Sequence, residues 1–136
     1  MIDLLMKIDY ILLDNLTAQA KESPRLRMNM DLRNSAADTS QRMLNAIEPG
    51  SVVPIHRHRK TSETVVVLRG RVVEECYSSA GVVEASYELA AGGPVFALNI
   101  PAGQWHTLRA LESGTVILEM KDGAYEPVGA EDVMER

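Results

Sequence analysis

His56-Arg57-His58-Arg59-Lys60-Thr61-Ser62-Glu63-Thr64-Val65-Val66-Val67-Leu68-Arg69-Gly70 holds two of the chain's three histidines, a carboxylate and a β-branched run that ends on glycine. Successive side chains of a strand point to opposite faces, so His56 and His58 look one way while Arg57 and Arg59 look the other. A turn through Arg59 to Ser62 has a common hairpin length and would oppose His58 and Glu63 on neighbouring strands, their Cβ atoms roughly 5 Å apart on one face. The third histidine, His106, follows Pro101-Ala102-Gly103-Gln104-Trp105 and would reach the same pocket from a third strand. Imidazole nitrogen and carboxylate oxygen suit a borderline divalent transition metal. His56, His58, Glu63 and His106 are therefore the candidate metal ligands. The run Thr64 to Leu68 is apolar on both faces and must be covered on each, by the core on one side and by a second sheet or another subunit on the other. From that two-faced strand we expect a homodimer.

Outward from this stretch, short runs rich in Val, Ile, Leu and Thr alternate with turn residues at Glu48-Pro49-Gly50, Ser78 to Gly81, Ala91 to Pro94, Glu112 to Gly114 and Lys121 to Gly123. That punctuation predicts an antiparallel sandwich or barrel. Upstream, Ile8, Ile11, Leu12, Leu16 and Ala20 follow helical spacing, with Asp9 near the start and Ser23-Pro24 at the end. Residues 25–40 read as an extended or looping segment over the fold, and the polar tail from Pro127 to Arg136 as loosely held. We expect one domain: residues 1–24 as a helix packed on a β-barrel of residues 25–136.

At 136 residues and 46% apolar content the chain is long enough for one core. A formal charge of -5 argues against a non-specific nucleic-acid binder, although arginines crowd the first half and leave room for a patch that binds an anionic small molecule. Cys76 is the single cysteine, so no intrachain disulfide forms and a reducing, cytoplasmic setting is expected. Asp3, Lys7 and Asp9 break the amino-terminal apolar runs, which is unlike a signal peptide, and no apolar stretch approaches the roughly 20 residues that span a bilayer. We therefore expect neither nucleic acid nor membrane as a partner.

Gly50, His56, His58, Glu63 and Gly70 stand at the defined positions of the first cupin motif, and Pro101, Gly103 and His106 at those of the second. The second motif's opening glycine and closing asparagine are replaced by Val95 and Ala110. The chain thus resembles the cupin superfamily. That resemblance implies a mainly β fold, a double-stranded β-helix or jelly-roll barrel, here with an N-terminal α-helix, and a metal inside the barrel mouth. Ser23-Pro24-Arg25-Leu26-Arg27-Met28-Asn29, Gln41-Arg42-Met43-Leu44-Asn45-Ala46 and Glu119 to Pro127 further resemble the WbuC family of cupin-fold metalloproteins. Gly123-Ala124-Tyr125 departs from the Gly-Pro-Tyr usual there, which concerns the local turn. The WbuC resemblance implies a link to surface-polysaccharide gene clusters without defining a reaction.

Three histidines and one carboxylate accept Fe, Mn or Zn, with Ni and Co as further options, and open coordination positions would let the ion polarise an oxygen or activate water. The bland alternative is a metal that only staples the barrel. Other residues invite a similar pair of readings. Of Arg42 and Asn45, only one can face the cavity. Arg57 and Arg59 read as surface or interface charges, Arg69 as a solvated strand end, and Trp105 as packing. Glu119 and Lys121 share a face and read as an acid-base pair or, by preference, a surface pair; Tyr125 covers the pocket or packs. With few aromatic residues, small polar ligands fit better than flat stacked ones. We expect a metal-binding protein acting on a small polar or anionic metabolite, such as a sugar or nucleotide-sugar intermediate of surface-polysaccharide biosynthesis. The mechanism expected is isomerase or epimerase chemistry. The alternatives are a non-haem iron dioxygenase and a non-catalytic metabolite-binding protein.

Overall fold

The computed structural model describes residues 5–135. Residues 1–4 of the predicted leading segment, and Arg136 of the predicted tail, lie outside the described residues. One helix, α1 (Tyr10–Glu22), precedes ten strands: β1 (Arg27–Asp31), β2 (Gln41–Ile47), β3 (Ile55–His56), β4 (Glu63–Arg69), β5 (Arg71–Tyr77), β6 (Val83–Ala90), β7 (Ala97–Ile100), β8 (Trp105–Ala110), β9 (Val116–Lys121) and β10 (Val133–Met134). They form two antiparallel five-stranded sheets, in the orders β1-β2-β9-β4-β7 and β10-β3-β8-β5-β6. No helix among the described residues is long and apolar enough to cross a membrane.

Asp9 caps α1 by accepting from the Leu12 N–H at 3.1 Å, and Ser23 closes its other end. Leu13, Leu16 and Ala20 pack with Leu44, Ala46 and Val116 on the outer face of the first sheet. Each leucine buried there contributes on the order of 1.5–3 kcal/mol. The buried stripe is shifted from the one expected, since Ile8 and Ile11 are exposed while Leu13 and Thr17 are buried. Arg69, expected at a solvated end, instead clamps the helix: it donates to Asp14 at 2.6 Å, to Thr17 at 3.1 Å and to the Gly114 carbonyl at 2.7 Å. The helix also answers the two-faced run in β4, with Val65 and Val67 turned into the barrel and Leu68 against the helix cluster.

Between the sheets lie Ile47, Val65, Val67, Val72, Leu89, Leu108 and Ile117. Along each inward-facing row this apolar end gives way to polar groups: Val67 and Val65 to Glu63, Ile117 to Glu119 and Lys121, Leu108 to His106, Val72 to Glu74. One end of the barrel is thus a dry core and the other a polar cavity. Gly70 turns the chain from one sheet into the other at φ +85°, where an added Cβ would lie 2.8 Å from Thr115 Cα. Glycine is required by both the left-handed backbone and the close approach.

Within the extended or looping segment of residues 25–40, Arg27–Asp31 is the extended part, an edge strand, β1, paired along its length with β2. One local expectation is corrected. The polar tail is tied down rather than loose, because a 3-10 turn at Ala130–Asp132 leads into β10, which pairs Val133 with His56 and Met134 with Ile55.

Candidate metal centre

His56 and His106 are direct partners across β3 and β8, so their side chains share the inner face. His58 lies two residues beyond, past the end of β3, where its carbonyl accepts the Gly103 N–H at 2.8 Å. No hairpin joins it to Glu63: β3 belongs to one sheet and β4 to the other, and residues 57–62 cross between them. Glu63 nevertheless arrives from the opposite sheet. Its Oε2 lies 3.6 Å from His58 Nε2 and 3.5 Å from His106 Nε2. The ligand nitrogens of the three histidines all lie within 4.8 Å of one another.

Two rings are oriented by partners behind them. His56 Nδ1 sits 2.8 Å from the Pro54 carbonyl, and His106 Nδ1 2.7 Å from Glu74 Oε1. A proton held at Nδ1 against an acceptor leaves Nε2 as the ligand atom, the usual second contact of a metal-binding histidine. Burial is the largest cause lowering the proton affinity of all three imidazoles, and His106 adds to it for His56. His58 falls to about 4. At neutral pH the rings are therefore uncharged, as ligation demands, and their contacts with Glu63 are not ion pairs.

The donor set fits a cation. Glu63 Oε2 is buried with no hydrogen-bond partner although it faces two imidazole nitrogens. An orphaned buried carboxylate oxygen is costly, and a cation among these nitrogens would satisfy it.

Glu74 was not singled out by the sequence. It is fully buried beside His106, and burial followed by the charge of Glu63 pushes its carboxyl up to about 9. Its signal was available, since it shares inward parity with Val72. Glu119 is not the surface residue expected: it lines the cavity at 9% exposure, and burial, then Glu63, raises it to about 7, with the Lys121 ammonium and then the Asn45 amide opposing. The cavity, about 670 Å³, is lined by His58, Glu119, Lys121 and Tyr125 and by the segment Ala124 to Gly129.

Asn45 is buried on the inner face beside Glu119, whereas Arg42 bonds Asp38 and the Ser40 carbonyl. Arg57 and Arg59 turn away from the histidines to share Asp132, at 2.9 and 2.6 Å, and Arg57 also lies 4.6 Å over the Trp105 ring. Trp105 therefore packs, as expected. Tyr125 lines the cavity beneath Arg33.

Two facing antiparallel sheets with this pocket in one mouth define a cupin fold. Solved structures agree. KdgF from Halomonas sp. superposes with a TM-score of 0.61 at 16% identity, covering 76% of this chain and 84% of that one. The capsular polysaccharide assembling protein CapF from Staphylococcus aureus gives 0.65 at 18%, covering 82% of this chain but 32% of its own length. Oxalate oxidase in complex with glycolate gives 0.64 at 16%, covering 79% and 56%. At these identities the likeness is one of fold. Within that fold the chain belongs to the family described as Domain of unknown function (DUF6016), whose model matches residues 8–89. No curated protein matches the chain.

Proposed function

We propose that this protein is a metal-dependent cupin that acts on a small polar or anionic metabolite in the barrel mouth. The carrying observation is the orphaned Glu63 Oε2 facing the Nε2 atoms of His58 and His106. His56, His58, His106 and Glu63 would hold the ion, with Fe, Mn and Zn as the leading choices and Ni or Co as further ones. When bound, such an ion supplies Lewis acidity toward a ligand oxygen.

The chain's own groups do the rest. Glu74 and the Pro54 carbonyl hold two imidazoles in the tautomer that presents Nε2. Glu119 lines the cavity without an ion pair among the described residues, and its carboxyl titrates at about 7, so it can take or give a proton at Oε near neutral pH. A general acid-base group beyond the ligands favours proton-transfer chemistry, isomerisation or epimerisation, over passive binding. The WbuC resemblance and the fold likeness to CapF support a sugar or nucleotide-sugar intermediate of surface-polysaccharide biosynthesis as the ligand class.

The test is a panel of sugars, sugar acids and nucleotide sugars incubated in D₂O with metal-loaded protein and followed by proton NMR. Deuterium entering one carbon of one compound, and lost with Glu119→Gln or chelation, supports the reading. Turnover that survives chelation overturns it. Oxygen consumption by iron-loaded protein would replace proton transfer with dioxygenase chemistry.

A further inference from the structure

Six cationic side chains line the cavity, and five are already paired. Arg33 meets Asp31 at 2.9 Å, Arg42 meets Asp38 at 3.2 Å, Arg57 and Arg59 share Asp132, and Lys60 meets Glu126 at 3.1 Å. Lys121 makes no hydrogen bond or ion pair among the described residues. It is also the cation that faces the centre. It stands directly across from Glu63 on the neighbouring strand and two residues from Glu119 on its own, all on the inner face. Its charge is felt at His56, His58 and His106. A half-buried ammonium that makes no ion-pair contact with either carboxylate, although its charge is felt at Glu119, lines the cavity with its donors available to an anionic oxygen.

We propose that Lys121 is the anion-recognition residue of this cavity, and that its ligand is a small carboxylate carrying a hydroxyl or carbonyl oxygen on the next carbon. This rests on the metal-dependent reading above, because that neighbouring oxygen is the one the centre would hold.

The chemistry separates a carboxylate from a phosphate. Phosphate and diphosphate groups, with several charged oxygens, are gripped by arginine forks, by helix N-termini or by lysine acting together with such donors, rather than by one ammonium alone. Every arginine lining this cavity already serves a protein carboxylate, and α1 begins on the outer face of the first sheet. One compact ammonium matches one carboxylate. Among the metabolites considered above, this favours a sugar acid over a nucleotide diphosphate.

The experiment is calorimetric titration of full-length, zinc-reconstituted protein with glycolate, with inorganic phosphate and with ethylene glycol as the uncharged counterpart. Wild type, Lys121→Met and Lys121→Arg are compared, and metal content is measured in each sample. Expected are glycolate binding tighter than phosphate, none for ethylene glycol, at least tenfold weaker glycolate binding in Lys121→Met at unchanged zinc, and partial recovery in Lys121→Arg. Equal glycolate affinity in wild type and Lys121→Met, tighter phosphate binding, or zinc-loaded wild type that binds no glycolate overturns the proposal and leaves the metal centre standing. Lys121-dependent glycolate binding without zinc uptake supports the anion site and sinks the metal reading. Neither zinc nor glycolate binding overturns both.

Discussion

Glu74 Oε1 lies 2.7 Å from His106 Nδ1, with both side chains almost wholly removed from solvent. In the metal-free protein Glu74 keeps its proton through neutral pH, its carboxyl being pushed up to about 9; a cation at Nε2 would hold it as the carboxylate that accepts from Nδ1–H, fixes the ring and raises the basicity of Nε2. Glu74→Gln should therefore keep the fold and lower metal affinity roughly 10–100-fold. Competition against a chromophoric zinc chelator reads this directly. Unchanged affinity would reduce Glu74 to a buried acid that merely fills space.

The same buried groups predict how the metal-free protein responds to pH. Below 6.5 the unfolded chain holds protons on imidazoles that the folded protein keeps neutral, down to about 4 for His58, so stability rises with pH through that window. Glu74 and Glu119 act oppositely. Their folded values of about 9 and about 7 exceed the ordinary 4.5, so the folded state holds protons that the unfolded chain has lost, and stability falls as pH rises toward 9. Three imidazoles outnumber two carboxyls below 6.5, and only the carboxyls act above it. Urea midpoints of chelated protein should peak near pH 6.5 and decline to pH 9, and metal loading should remove the decline.

Gly70→Ala tests the corner between the sheets. The left-handed backbone at φ +85° and the approach to Thr115 both penalise a Cβ, and the loss should be about 2 kcal/mol or more. Urea denaturation measures it, and a loss within experimental error would contradict the close packing.

Asp132→Asn tests the strap that carries the tail across the mouth. Arg57 and Arg59 both lose their partner, while the backbone bond from the Arg57 N–H to the Asp132 carbonyl remains. Amide exchange should quicken at Arg57 and through residues 123–135, with metal content unaltered. Exchange unchanged there would mean that β10 pairing alone holds the strap.

How much of this was legible beforehand divides along physical lines. The punctuation of short apolar runs, the Asp9 cap and the parity of His56 and His58 are local, and they gave the β-rich barrel, the leading helix and the cluster. The His58–Glu63 hairpin failed because proximity in sequence suggested pairing within one sheet, whereas a jelly roll passes consecutive strands between sheets. Glu63 reaches the histidines across the barrel, a contact that only closure creates. Glu119 and Lys121 do share a face, but the surface pair preferred for them is overturned, since shared parity does not say which face of the strand is the inner one. The tail's anchorage depends on an Asp132 clamp some seventy residues from its arginines along the chain, which no local pattern announces.

The most direct measurement is metal content by inductively coupled plasma mass spectrometry, on protein purified without chelator or added metal, beside an identically prepared His56→Ala, His106→Ala double variant. The account predicts close to one transition-metal ion per chain in the parent and none above background in the variant. A parent at the variant's background, even after reconstitution, would contradict it and leave His56, His58, Glu63 and His106 as a buried polar cluster without an ion.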